Sequence, residues 1–177
     1  MKTGVPDIAT LADKQAITEV IYSYCRSVDR LDQPLGHAIW HEGGYADYSA
    51  GDYQGSGTGK IDHILEQHLH LTSHSHQITN ILIDIEGDSA GSEAYFHGTM
   101  RSQQDGKVMH IGVWGRYLDK WEKRGGRWGI LHRMVVFDHE EMRQTQPMGM
   151  EMRSTRDGSD PSYQFLTSRS FGDPIDV

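Results

Sequence analysis

After Leu69 the apolar residues of this chain stop recurring every three or four positions and begin to alternate, and the alternation runs almost to residue 140. A helix face repeats near 3.6 residues and a strand face every second residue, so the change marks a switch from helices to sheet. The alternating region divides into four strands, His74–Ile85, Ser89–Met100, Lys107–Trp121 and Arg127–Asp138, separated by EGD, QQDG and KRGG. Such turn segments join antiparallel neighbours and give a meander. Long strands in a small domain curl around a helix or a cavity, and Gly112 and Gly115 mark where the third can bend or bulge. Helices followed by a meander predict an α+β fold, not a doubly wound parallel sheet.

Upstream, Ile17, Val20, Ile21, Tyr24, Cys25 and Val28 form the stripe of a helix lying on a core. The first ten residues read as a lead-in. Thr10 and Asp13 form a capping box, or Asp13 alone caps the start, and Asp29 falls on the last turn. Asp32-Gln33-Pro34 opens a second helix that ends near Trp40: aspartate accepts free amide hydrogens, and proline lacks a donor where none is needed. Tyr45 to Ser49 reads as a short strand and GDYQGSGTG as turn. Thr58 or Gly59 then opens a third helix through Ile61, Ile64, Leu65, His68 and Leu69. GSGTGK lacks the spacing of a phosphate loop. The polar, methionine-rich segment after Glu140, with Pro147, Pro161 and Pro174, has no periodicity; it covers the mouth of the domain or packs on a neighbouring subunit. The expectation is a single domain over 1–177, with a core of about 9–140 and an extension of about 141–177.

A chain of 177 residues has room for one core. Its net charge of −8 and scattered basic residues offer no electrostatic stripe for nucleic acid and no attraction to anionic membranes. The single cysteine, Cys25, excludes an internal disulfide and a multi-cysteine zinc site. No apolar run has signal-peptide or membrane-spanning length, so the expected location is cytoplasmic. Despite 11 histidines there is no HExxH and no dinucleotide fingerprint, so neither metal nor cofactor is expected.

Two residues lead the candidates for chemistry. Asp29 faces the negative end of a helix dipole, where a basic group is the ordinary preference. It is either half-buried by the sheet and able to take or direct a proton, or exposed beside Arg26, Arg30 or Asp32. In SHSHQITN, strict alternation puts His74, His76, Ile78, Asn80 and Leu82 on one face and Gln77, Thr79, Ile81, Ile83 and Ile85 on the other. The mixed face of His76 suits a pocket wall, and imidazole suits proton transfer near neutral pH; His74 is an equal candidate by composition. An Asp–His pair makes a simple base, the carboxylate holding one ring nitrogen protonated and leaving the other free. Tyr24 and Tyr48 offer phenols for a carbonyl or a leaving hydroxyl, with packing as the plainer role. His132 and Arg133 point to opposite faces of the last strand, and Arg133 either stabilises negative charge or forms a salt bridge. Trp114, with Tyr117, Trp121, Trp128 and Phe137, supplies aromatic area for core and interface.

Three segments, AITEVIYSYCRSVDRLD, SHQITNILIDIEGDSAGSEAYF and YLDKWEKRGGRWGILHRMVVFD, resemble in order and separation the SnoaL-like branch of the nuclear transport factor 2-like fold, over roughly residues 9–140. The resemblance implies a cone-shaped domain, with a strongly curved, mainly antiparallel sheet packed against N-terminal helices around a largely apolar cavity. Within the superfamily the pattern is similar to the scytalone dehydratase, bile-acid dehydratase and hexachlorocyclohexane dehydrochlorinase group, whose cofactor-free eliminations use an Asp–His pair. By that likeness Asp29 and His76 are the catalytic pair and Tyr24 and Tyr48 the assisting phenols. His110, Arg133, Asn80 and Trp114 are the substrate-binding set. The implied function is a dehydratase-like lyase acting on a small hydrophobic cyclic molecule; an isomerase or a non-catalytic ligand-binding or assembly subunit are the alternatives. A homo-oligomer is expected, with a trimer favoured over a dimer.

Overall fold

The computed structural model describes residues 4–49, 52–166 and 168–173; Pro174, and Gly51 at the head of the turn-rich segment, lie outside them. Helix α1 spans Ile8–Arg30, beginning earlier than the lead-in reading allowed. Asp7 is the reason: its carboxylate accepts the backbone N–H of Thr10 at 2.7 Å and satisfies one free donor of the first turn. Asp13 does not cap. It accepts from Lys123 Nζ at 2.7 Å and Trp128 Nε1 at 2.9 Å, which ties the helix to the sheet.

Leu31 closes α1 in the left-handed region (φ 53°), and the N–H of Asp32 reaches back to the Ser27 carbonyl. Asp32 then caps α2 (Gln33–Ala38) through the N–H of Leu35. The chain enters β1 (Trp40–Asp47), returns through β2 (Gln54–Ser56), and passes directly into α3 (Gly57–His68), capped by the Ser56 hydroxyl at the N–H of Gly59.

Four strands follow, β3 (Ser73–Glu86), β4 (Ser89–Gln104), β5 (Lys107–Arg124) and β6 (Arg127–Thr145). All four reach further than the sequence reading: the first three because each hairpin turn uses only two residues, and β6 because it stays paired with β5 as far as Thr145. Glu86 pairs with Ser89, Gln104 with Lys107 and Arg124 with Arg127. Asp105-Gly106 and Gly125-Gly126 all have positive φ, the geometry of the tight turn that matches strand twist.

The sheet order is β2-β1-β6-β5-β4-β3, antiparallel except where β1 runs parallel to β6. The fold is α+β, with α1 lying across a curved sheet and Ile17, Val20, Ile21 and Val28 buried against Tyr117, Trp121, Trp128 and Ile130. Among the described residues no helix is long and apolar enough to cross a membrane.

Two irregularities aim side chains. The pairing of β3 with β4 shifts between Ile78 and Ile81, so Thr79-Asn80 forms a bulge and the parity of the strand reverses. His74, His76, Ile78, Ile81, Ile83 and Ile85 consequently share the packed face, which strict alternation had split in two. On β6 the register shifts where Trp114 pairs with His139 but Gly115 pairs with Phe137. A Cβ on Gly115 would lie 2.3 Å from the Val136 carbonyl oxygen, so only glycine fits the close approach there.

Candidate active site

Besides its core stripe, α1 carries a second one. Tyr22, Cys25, Arg26, Asp29 and Arg30, at three- and four-residue spacing, face His76 and Ile78 of the edge strand β3. Together they line a cavity of about 240 Å3 that opens to solvent. Asp29 and His76 meet in its wall. The Asp29 Oδ1 is 2.7 Å from His76 Nδ1, and the backbone N–H of His76 donates to Oδ2 at 3.0 Å. Their side chains are 12% and 10% exposed.

This double contact fixes the pair in two ways. Both carboxylate oxygens receive an N–H, which compensates the unfavourable helix terminus on which Asp29 stands. An ionised carboxylate only accepts, so Nδ1 is the donor, and in the neutral ring the lone pair lies on Nε2. Among the described residues Nε2 has no hydrogen-bond partner in the protein. Its neighbour across the sheet is Gly98, where a Cβ would stand 3.5 Å from Nε2. The glycine leaves room beside this nitrogen.

His74 has another task. Its Nε2 is 2.5 Å from the Val28 carbonyl, and burial outweighs the opposite effect of that bond and pushes its pKa down, which favours the neutral ring. It lies against His68 with the rings tilted at 59° and their centres 4.8 Å apart, and burial lowers the pKa of His68 to about 3.

The remaining expected residues lie elsewhere. Tyr24 and Tyr48 bond hydroxyl to hydroxyl at 2.7 Å and are 2% and 5% exposed, sealed under α1 and outside the pocket wall. Burial pushes both phenol pKa values up, furthest for Tyr24. Arg133 is fully buried, its guanidinium 4.3 Å from the Tyr24 ring centre and 4.2 Å from that of Tyr117. It donates to both oxygens of Asp119, at 2.7 and 2.8 Å, which answers the sequence alternative in favour of the salt bridge. The interior expected to be a largely apolar cavity is occupied by this polar and aromatic cluster.

Asn80 is exposed because it belongs to the β3 bulge. Trp114 lies on the outer face, stacked between His97 at 4.2 Å and His139 at 4.3 Å, since Gly115 and Tyr117 take the inner positions. His110 pairs with Arg101 and Arg143 towards the β4–β5 turn, away from the pocket wall. None of the three touches the Asp29–His76 cavity.

Sequence reasoning missed the pocket roles of Tyr22, Arg26 and Arg30 and placed Cys25 in the core alone, whereas Ile78 does share the wall with His76 as the strand pattern suggested. The available signal was the second helical stripe in register with Asp29. Cys25 is no nucleophile here, because burial, reinforced by the Asp29 charge, pushes its thiol up to about 12. Among the described residues no group of three or more His, Cys, Asp or Glu side chains is placed to hold a metal ion.

Three helices laid against a curved sheet give the nuclear transport factor 2-like fold. The chain belongs to the SnoaL-like domain family, whose model matches residues 9–134. A type 2 hexachlorocyclohexane dehydrochlorinase superposes with a TM-score of 0.71 at 16% identity, over 82% of this chain and 100% of that one. A putative scytalone dehydratase from Novosphingobium aromaticivorans does so with a TM-score of 0.63 at 20% identity, over 81% and 97%. A nuclear transport factor 2-like protein from Salmonella enterica gives 0.59 at 22% identity, over 81% and 99%. No curated protein sequence matches the chain.

Proposed function

We propose that the protein is a cofactor-independent lyase in which His76 is the base and Asp29 its positioning partner. The observation that carries this reading is the 2.7 Å Asp29–His76 contact, in a histidine that lines a solvent-connected cavity and whose Nε2 has no protein partner among the described residues. A non-catalytic binding subunit has no need of a carboxylate that holds both the ring and the backbone N–H of one histidine, and the likeness to a dehydrochlorinase and a dehydratase points the same way.

In the reaction, Nε2 takes a proton from a carbon beside a carbonyl or leaving group. The electron pair of the broken C–H bond becomes the new double bond, and the leaving group departs with its own bonding pair. A halide leaves as such. A departing hydroxide takes a proton from the imidazolium or from the Tyr22 phenol at the pocket wall, and solvent restores the lost proton. Asp29 stabilises the imidazolium formed in between without taking its proton. Returning the proton to another carbon of the same substrate turns the cycle into an isomerisation. The cavity size favours a small molecule.

The test is a panel of cyclic hydroxy-ketones and halogenated rings, with elimination followed by product formation. His76→Ala and Asp29→Asn are each expected to lower kcat by about 10²–10⁴. Turnover unchanged in both variants would remove the dyad from the mechanism.

A further inference from the structure

Arg26 and Arg30 stand one helical turn apart beside the dyad, and like charges at that spacing repel. The segment after β6 deals with them differently. Asp160 supplies a carboxylate to Arg30, Oδ1 lying 3.3 Å from Nε, although misalignment leaves that buried nitrogen without a hydrogen bond. Arg26 receives no carboxylate within ion-pair distance among the described residues. Its Nη2 donates to the Ser162 hydroxyl at 3.2 Å, and the guanidinium lies 4.5 Å over the Tyr163 ring. A serine and an aromatic face hold the group in place without neutralising it. Asp29, its neighbour on the same stripe, has both oxygens turned to His76.

We propose that Arg26 makes this pocket a receptor for a carboxylate, so that the substrate is a small carboxylic acid with an apolar ring or chain. A guanidinium has five donors in a planar fork matched to a carboxylate, and only one is used here. Cys25 and Ile78 give the wall apolar surface for the body of such a molecule, and Tyr22 adds an aromatic face. A positioned cation without an anionic partner is informative in a chain of net charge −8. The inference rests on the dyad reading for what happens after binding, and it limits that chemistry. Removing a proton directly beside a carboxylate would create a dianion, so the acid group is an anchor, and the carbonyl or leaving group that acidifies the C–H bond lies elsewhere on the molecule.

Calorimetric titration of the full chain with benzoate and with benzamide tests this, since the two differ in charge and hardly in shape. Benzoate is expected to bind at least about tenfold more tightly. Arg26→Gln should abolish the difference, and Arg26→Lys, which keeps the charge and loses the fork, should retain only part of it. His76→Ala should keep the preference, as should Arg143→Gln, which removes an exposed arginine far from the pocket. Equal affinity for the two probes, no saturable benzoate binding, or a preference that survives Arg26→Gln would each overturn the proposal. A dyad that fails its own turnover test leaves this binding result standing, so the two failures can be told apart.

Discussion

Replacing Asp119 by asparagine leaves the shape of the Arg133 site nearly intact and removes its only negative charge. Both side chains are fully buried, Arg133 Nη1 already lacks a partner, and two aromatic rings close the space around the guanidinium. Burial works against the Arg133 charge, and the Asp119 carboxylate overcomes it, holding the group charged at every accessible pH. The variant therefore confines a cation without compensation, and breaking such a pair costs about 3–5 kcal/mol. At about 2–4 °C per kcal/mol for a chain of this size, the midpoint of thermal unfolding should fall by about 6–20 °C. Arg133→Met should lose a comparable amount, through the stranded carboxylate and the lost ring contacts. The double variant strands no charge, so its loss should fall short of the sum by about 2–3 kcal/mol. Urea unfolding of the four proteins gives the cycle directly. A loss below about 1 kcal/mol for Asp119→Asn, or strictly additive losses, would show that the pair is not the electrostatic centre of the core.

Two further perturbations concern the surroundings of His74 and His76. His68, neutral in the fold down to about pH 3, binds its proton in the unfolded chain near 6.5, so it favours the folded state above 6.5 and loses that contribution as pH falls towards 3. In His68→Gln the rise of unfolding free energy between pH 4 and 6 should flatten by up to about 1.4 kcal/mol per pH unit; an unchanged slope would refute it. Gly98→Ala places a methyl at ordinary contact distance, 3.5 Å, from His76 Nε2. It should leave the fold as stable or up to about 1 kcal/mol more so, while turnover falls at least about tenfold. Full turnover would mean that substrate approaches Nε2 from another side.

What could be read from the sequence divides along physical lines. The core stripe of α1, the Asp32 cap and the hairpin meander are written in local spacing and turn chemistry, and the structure carries all three. Asp29 and His76 were legible as candidates because one ends a helix and the other sits on a mixed strand face. Their contact across 47 residues depends on how the helix lies on the sheet. The β3 bulge was invisible, since a parity argument has no term for one extra residue, and it misassigned Ile81, Ile83 and Ile85. Asp119 escaped notice beside Arg133 because their pairing is a matter of register between adjacent strands. The segment after Thr145 has no period at all. It acts through single contacts, of Asp160, Ser162 and Arg169 with α1 and of Arg156 with the end of α3.

That arrangement bears on how the protein matures. The serine that steadies Arg26 is separated from it by 136 residues, and Arg169, which grips Glu19, by 150 from its partner. On the ribosome, α1 and the whole sheet emerge before these groups exist, so a nascent chain can assemble its base while the rim beside it is still loose. Protease resistance around Arg26 should thus appear later in synthesis than resistance within the hairpins.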